Sequence, residues 1–152
     1  MTTLIEYLKT NTLTIGLAES MTGGSLSYEF VKHPGVSVVY KGSVVCYQND
    51  MKVNVLNVSE DMINTYGVVS KEVAIEMAKN AQHILHVDVS ISVTGYAENH
   101  KDIWIACAYR ENMSVKKLSY ESLDRIKIIQ KTIHEMIHLC KETLSIDKTH
   151  II

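Results

Sequence analysis

Two stretches of this chain carry residue types whose spacing can do chemistry. The first is Ala18-Glu19-Ser20-Met21-Thr22-Gly23-Gly24, which follows the apolar run Leu13 to Leu17 and precedes an apolar-periodic segment. That order predicts a strand that stops, presents the Ser20 hydroxyl and turns into a helix. The free N–H groups of the helix start would stabilise an anion or a developing oxyanion beside it. Gly23 and Gly24 let a ligand approach the backbone closely, at a cost in helix propensity of roughly 1 kcal/mol each relative to alanine. An ordinary strand-to-helix turn accounts for the same residues, with Ser20 or Thr22 as N-cap and the glycines serving helix–sheet packing.

A nucleophilic serine needs a base. In an open α/β sheet the connections at the carboxyl ends of the strands gather on one edge, so Ser20, the Tyr47 to Lys52 connection and Thr94-Gly95 can converge. Only His100 among the histidines follows such a strand end, which leaves Lys52 as the available partner. A lysine acts as a base when desolvation or neighbouring positive charge lowers its pKa, and Ser-Lys pairs are a known variant of the nucleophile–base scheme. On residue type alone Lys52 fits a solvated helix lysine better, and Tyr47 fits equally a core aromatic with its hydroxyl at the rim.

The second stretch is His134-Glu135-Met136-Ile137-His138, which has the His-Glu-x-x-His spacing of a zinc-protease helix. Helical periodicity places Ile126, Ile129, Ile133, Ile137, Cys140 and Leu144 on one apolar face, with His134 and His138 on the flank beside Lys127 and Lys131. Outward imidazoles next to cations do not make the dry, three-ligand cleft that a catalytic zinc needs. The expectation is a solvated helix face and no metal.

The elements that must position these groups follow from patterning. A helix is expected over about Thr3 to Lys9, a strand over Thr12 to Ala18, and a helix over Thr22 to Lys32 that His33-Pro34-Gly35 ends. Val36 to Tyr47 reads as extended, with a core strand at Ser43 to Tyr47, followed by a short helix from Asp50 to Leu56 and an acidic helix start at Ser59. Ser70 caps a helix running to Leu85, with Val73, Met77, Ala78, Ala81 and Leu85 along one side. Val87 to Thr94 alternates as a strand, Asp102 to Tyr109 and Ser114 to Tyr120 form a hairpin around Glu111-Asn112, and a last helix spans Ser122 to Leu144. Alternating strands and helices, then a hairpin and a closing helix, predict one α/β/α three-layer domain over residues 1–152, with a mixed sheet.

The bulk properties exclude several classes. With 15 Lys+Arg against 17 Asp+Glu, a formal net charge of −2 and basic residues scattered apart from Lys116-Lys117, nucleic acid is not an expected partner. Neither a signal-peptide order nor a membrane-length apolar run is present, so a cytoplasmic protein with no membrane partner is expected. Cys46, Cys107 and Cys140 lie in apolar segments without Cys-x-x-Cys spacing and read as reduced, buried thiols.

Taken together, Ala18 to Gly24, the Gly42 to Lys52 segment, Gly67-Val68-Val69-Ser70, Met77-Ala78 and Thr94-Gly95 resemble, in order, the motifs of the CinA C-terminal domain, or nicotinamide-nucleotide amidase, family. The resemblance covers about residues 10–130, and Asp124-Arg125 is similar to the family's Asp-Arg at the start of its last helix. It implies a homo-oligomeric α/β/α hydrolase that converts the carboxamide of nicotinamide mononucleotide to the acid plus ammonia, a step of NAD salvage, without metal or cofactor. By the same resemblance Ser20 is the nucleophile, Lys52 its general base and Tyr47 the residue orienting the pair. Thr94 with Gly95 helps bind the substrate, Arg125 holds its phosphate, the N–H groups around Thr22 and Gly23 form the oxyanion hole, and Gly24 lies with them among the substrate-binding residues. A guanidinium suits a phosphate through bidentate hydrogen bonding. Two departures stand out. Met21 replaces a cysteine common in the family, and Tyr96 to Asp102 connects directly to Ile103 where the family carries a longer Gly/Pro-rich loop. A catalytically degenerate relative that binds a nucleotide, or serves as an oligomeric partner, is the alternative.

Overall fold

Five strands form one mixed sheet in the order β2-β1-β3-β4-β5 in this computed structural model, which describes residues 1–146. The chain runs α1 (Thr2–Thr10), β1 (Ile15–Glu19), α2 (Ser25–Val31), a single 3-10 turn (Val36–Val38), β2 (Tyr40–Val45), α3 (Asn49–Asn54), α4 (Glu60–Tyr66), α5 (Lys71–Ile84), β3 (Val89–Gly95), β4 (Ile103–Tyr109), β5 (Asn112–Leu118) and α6 (Arg125–Thr143). β2, β1 and β3 are parallel, β4 runs antiparallel to β3, and β5 runs antiparallel to β4.

The side-chain alternation of β1 and β3 sorts the helices onto two faces. Ile15, Leu17, Val89, Ile91 and Val93 join α1, α2 and α6 in the larger apolar core, through Leu4, Leu8, Leu26, Phe30, Met136 and Leu139 among others. The opposite face is built of small residues. Ala74 and Ala78 of α5 pack on Ala106 and Ala108, and Ala81 shares a cluster with Ala18. Ser90 and Ser92, fully buried, donate their hydroxyls to the carbonyls of Ala78 and Ala74 at 2.6 Å each. A polar position in an alternating strand is therefore satisfied by helix carbonyls here, and α5 sits close on the sheet because nothing large stands between.

After β1 the chain crosses to β2 on one side of the sheet by way of α2, and then returns through α5 on the other side to β3. β1 therefore ends where the strand order reverses, the place at which open α/β sheets hold ligands. Ser20 is the next residue.

Several boundaries differ from those expected. α2 begins at Ser25 rather than Thr22, because Gly23 and Gly24 adopt left-handed φ values of 58° and 96°. α6 begins at Arg125 rather than Ser122, since Ser122 has φ 55° and Asp124 Oδ1 accepts from the Lys127 N–H at 2.8 Å as the cap. The hairpin turns at Arg110-Glu111, one residue earlier than the sequence indicates, with Tyr109 paired to Asn112 and Arg110 at φ 54°.

The buried stripe of α6 is also rotated from the isoleucine face. It comprises Ile128, Thr132, Ile133, Met136, Leu139 and Cys140, whereas Ile126 is 67% exposed. The helix packs mainly along β3, β4 and β5, and Ile126 in its first turn faces solvent. His134 lies outside, and Glu135 pairs with Lys116 of β5 at 2.6 Å. No group of three or more His, Cys, Asp or Glu able to hold a metal occurs among the described residues, and no helix there is long and apolar enough to cross a membrane. The helix orientation is open to test by denaturant unfolding. Met136→Ala is expected to cost about 2–5 kcal/mol, and Ile126→Ala no more than about 0.5 kcal/mol; equal losses would contradict it.

Candidate active site

Ser20, 5% exposed, emerges at the carboxyl end of β1, and its hydroxyl oxygen lies 3.0 Å from Lys52 Nζ. The two residues are brought together by a short backbone circuit. The Cys46 N–H donates to the Glu19 carbonyl at 2.7 Å, extending the β1–β2 pairing by one step. Gln48 leads into α3, whose fourth residue is Lys52. Helical side chains lean toward the N-terminus of their helix. The amine thus reaches back over the turn, donating to the Cys46 carbonyl at 3.0 Å as well as meeting Ser20.

Lys52 is only 2% exposed and pairs with no carboxylate among the described residues. Burial holds its pKa below the ordinary lysine value, with the nearby Cys46 thiol pulling weakly the other way. Burial pushes the Cys46 thiol up in turn. Nζ is in donor geometry to both the Cys46 carbonyl and Ser20 Oγ, and only its neutral form has a lone pair with which to accept the Ser20 proton. A hydroxyl and a buried amine at this distance have the geometry that a serine and a base need.

The turn after Ser20 is organised by a residue that the motif reading passed over. Glu19 is fully buried, and its carboxylate accepts six hydrogen bonds. Oε2 takes Thr22 Oγ1 (2.8 Å) and the N–H groups of Gly24 (3.0 Å) and Leu26 (3.1 Å). Oε1 takes the N–H and hydroxyl of Ser27 (2.9 and 2.6 Å) and, at 3.3 Å, Ser43 Oγ of β2. The start of α2, expected to offer free N–H groups to a ligand, therefore holds an internal anion instead. A sequence signal existed, in that a carboxylate ending an apolar strand must find donors if it is buried.

The expected binding residues are correspondingly committed. Thr22 is buried with its hydroxyl on Glu19, and the Gly23 N–H donates to the Ser20 carbonyl at 3.0 Å. Of the amides in this turn, those of Met21 and Thr22 have no hydrogen-bond partner among the described residues. The Met21 side chain packs into the larger core. Thr94 Oγ1 donates to the Val68 carbonyl at 2.8 Å, and a Cβ on Gly95 would lie 2.8 Å from Ile103 Cα, so both residues serve close packing at the end of β3.

Tyr47 and Arg125, 78 residues apart, meet directly: Arg125 Nη2 donates to the Tyr47 hydroxyl at 2.8 Å. Arg125 Nη1 lies 3.5 Å from the Ala97 carbonyl. Tyr47 is 57% exposed, and its hydroxyl is held by the guanidinium rather than by the Ser20-Lys52 pair. The short loop before β4 is pinned to the start of α6, with the Asn99 side chain bonded to both the N–H and the carbonyl of Leu123. An open groove of about 530 Å³ lies alongside, lined by the Gly23-Gly24 turn, Tyr28 and Ile126, Ile129 and Ile133.

Comparison with known proteins gives the family and the fold. A family model described as CinA C-terminal domain matches residues 1–144. A competence-damage inducible protein of Bacillus cereus is 41% identical over 118 residues, covering 73% of this chain and 29% of the relative; one from another strain is 47% identical over 93 residues, covering 61% and 23%. The chain thus spans under a third of the length of the curated relatives it matches. Among solved structures, the competence damage-inducible protein A of Klebsiella pneumoniae superposes with a TM-score of 0.90 at 22% identity, covering 95% of this chain and 94% of that one. A competence/damage inducible protein of Agrobacterium tumefaciens gives 0.88 at 25% identity, covering 93% and 91%.

The buried amine has a thermodynamic consequence. Because its pKa is lowered on folding, the unfolded chain binds the extra proton, and the stability of the wild type rises with pH from the folded value of Lys52 up to the ordinary lysine value. Lys52→Met lacks this slope. In unfolding free energies measured across pH, the variant should gain on the wild type as pH falls through that window; parallel curves would mean that Lys52 stays protonated in the folded state.

Proposed function

The chain belongs to the CinA C-terminal domain family, and on that premise we propose that it is a hydrolase of small amides whose substrate is nicotinamide mononucleotide. The observation that supports this reading is the buried amine of Lys52 at 3.0 Å from Ser20 Oγ, with no carboxylate paired to it among the described residues.

In the proposed reaction neutral Lys52 takes the Ser20 hydroxyl proton as the oxygen attacks the carboxamide carbon. The tetrahedral oxyanion falls to the free amides of Met21 and Thr22, in the role expected of the turn. The C–N bond then breaks, and the departing nitrogen takes the proton from Lys52 and leaves as ammonia. Water attacks the resulting Ser20 ester with Lys52 again as base, which releases the acid and restores the serine. Arg125 binds the phosphate by exchanging the neutral Tyr47 hydroxyl for a doubly accepting anion. Tyr47 then has its hydroxyl free to act near the site. Exposed Tyr28, Val31, Val38 and Val45 are consistent with a homo-oligomer.

A second reading, a nucleotide-binding relative without catalysis, is favoured by the short Tyr96 to Asp102 loop, which is occupied in bracing α6. Ammonia release from nicotinamide mononucleotide separates the two. The amidase reading expects turnover by the wild type, loss to background in Ser20→Ala, and a fall of about 10²–10⁴-fold or more in Lys52→Ala. Absence of turnover in a folded wild type that binds the nucleotide supports the second reading. The rate should climb with pH as Lys52 deprotonates, with a midpoint below the ordinary lysine value; a rate independent of pH across that range counts against Lys52 as the base.

A further inference from the structure

We propose that Glu19 is a positioning residue for the reaction, holding Ser20 and the free amides of the following turn in register with Lys52; this rests on the Ser-Lys reading. Glu19 meets the machinery twice. Its side chain fixes the far end of the turn through Thr22, Gly24, Leu26 and Ser27, so the Met21 and Thr22 amides have their directions set from both sides. Its main-chain carbonyl fixes the Cys46 N–H, and the Cys46 carbonyl in turn holds Lys52 Nζ. Ser43 Oγ ties the same carboxylate to β2, the strand that leads to Cys46.

One residue therefore joins the nucleophile, the candidate oxyanion donors and the acceptor that steers the base. Simple helix capping requires far less. One acceptor for one or two amides suffices to start a helix, whereas Glu19 gathers three amides and three hydroxyls from two elements. The seven-residue helix it caps would be marginal by itself. Removal of such a clamp relaxes the turn, and displacement of reacting groups by about 1 Å costs roughly 10²-fold in rate.

The test compares the wild type with Glu19→Gln, which keeps the shape but turns an amide group toward donors. Ser20 reactivity is read with an alkyl fluorophosphonate by intact mass and peptide mapping. The Ser20 Oγ–P bond forms, the P–F bond breaks, fluoride leaves, and the hydroxyl proton passes to Lys52. Rates are taken per folded molecule, with the folded fraction from thermal unfolding. The expected result is a labelling rate down roughly 10- to 100-fold. The pH midpoint of labelling should be unmoved, because Glu19 acts on geometry and makes no contact with Lys52. In ammonia release kcat should fall by a similar factor with KM unchanged.

A folded Glu19→Gln that labels at the wild-type rate overturns the proposal and leaves Glu19 a structural cap. If that variant fails to fold, Ser27→Ala and Ser43→Ala each remove one hydroxyl from the carboxylate. Graded slowing, larger for Ser27 with its 2.6 Å contact than for Ser43 at 3.3 Å, supports it, and wild-type rates in both overturn it. Labelling of Ser20 without ammonia release by the wild type defeats the amidase substrate but not the positioning role. A wild type that takes no label at Ser20 defeats both, since there is then no nucleophile to position.

Discussion

The arrangement at the end of β1 depends on burying one carboxylate. An ionised group removed from water costs several kcal/mol unless donors replace the solvent, and a half-satisfied one is worse than an apolar residue. Glu19 meets this demand with six donors drawn from the turn, from α2 and from β2. The local conformation follows from the demand. Gly23 and Gly24 must adopt positive φ so that the chain folds back over the carboxylate, and α2 cannot start until Ser25. The attraction between helix N-terminus and anion, which elsewhere recruits a ligand, is spent here on the protein itself.

Lys52 is the complementary constraint. Its amine is buried on two hydrogen-bond acceptors and pairs with no carboxylate among the described residues, so its pKa lies below the ordinary lysine value. The two buried ionisable groups flank Ser20 with opposite logic. The acid is saturated with hydrogen-bond donors, and the amine rests on two neutral acceptors with no carboxylate beside it among the described residues. Both states come from the same β1–β2 register, because the Glu19 carbonyl to Cys46 step places the acceptor on which the amine rests.

The outer rim is built differently, from exposed groups that can change partners. Arg125 and Tyr47 share a hydrogen bond, and the guanidinium pairs with no carboxylate among the described residues. The connection between β3 and β4 is braced on Leu123 by Asn99, and Leu123 stands two residues before Arg125.

Much of this was legible in the sequence alone. The Ala18 to Gly24 run, the alternation of β3, the cap at Ser70 and the order of the motifs identify an α/β fold, its family and the Ser20-Lys52 candidates, because each is a local pattern with a local cause. The tertiary structure decided what depends on partners distant in the chain. Lys52 looks like a surface lysine until β1 and β2 pair and bury it. Glu19 looks incidental until donors as distant as Ser43 converge on it. The α6 stripe follows Ile128, Thr132 and Met136 rather than Ile126 and Ile129, because the sheet beneath, not the helix's own periodicity, determines which side is covered. Tyr47 and Arg125 meet only once β2 and α6 have been brought to the same edge. Local patterning encodes the elements, whereas burial, which governs the charge states of a site, is a property of the assembled fold.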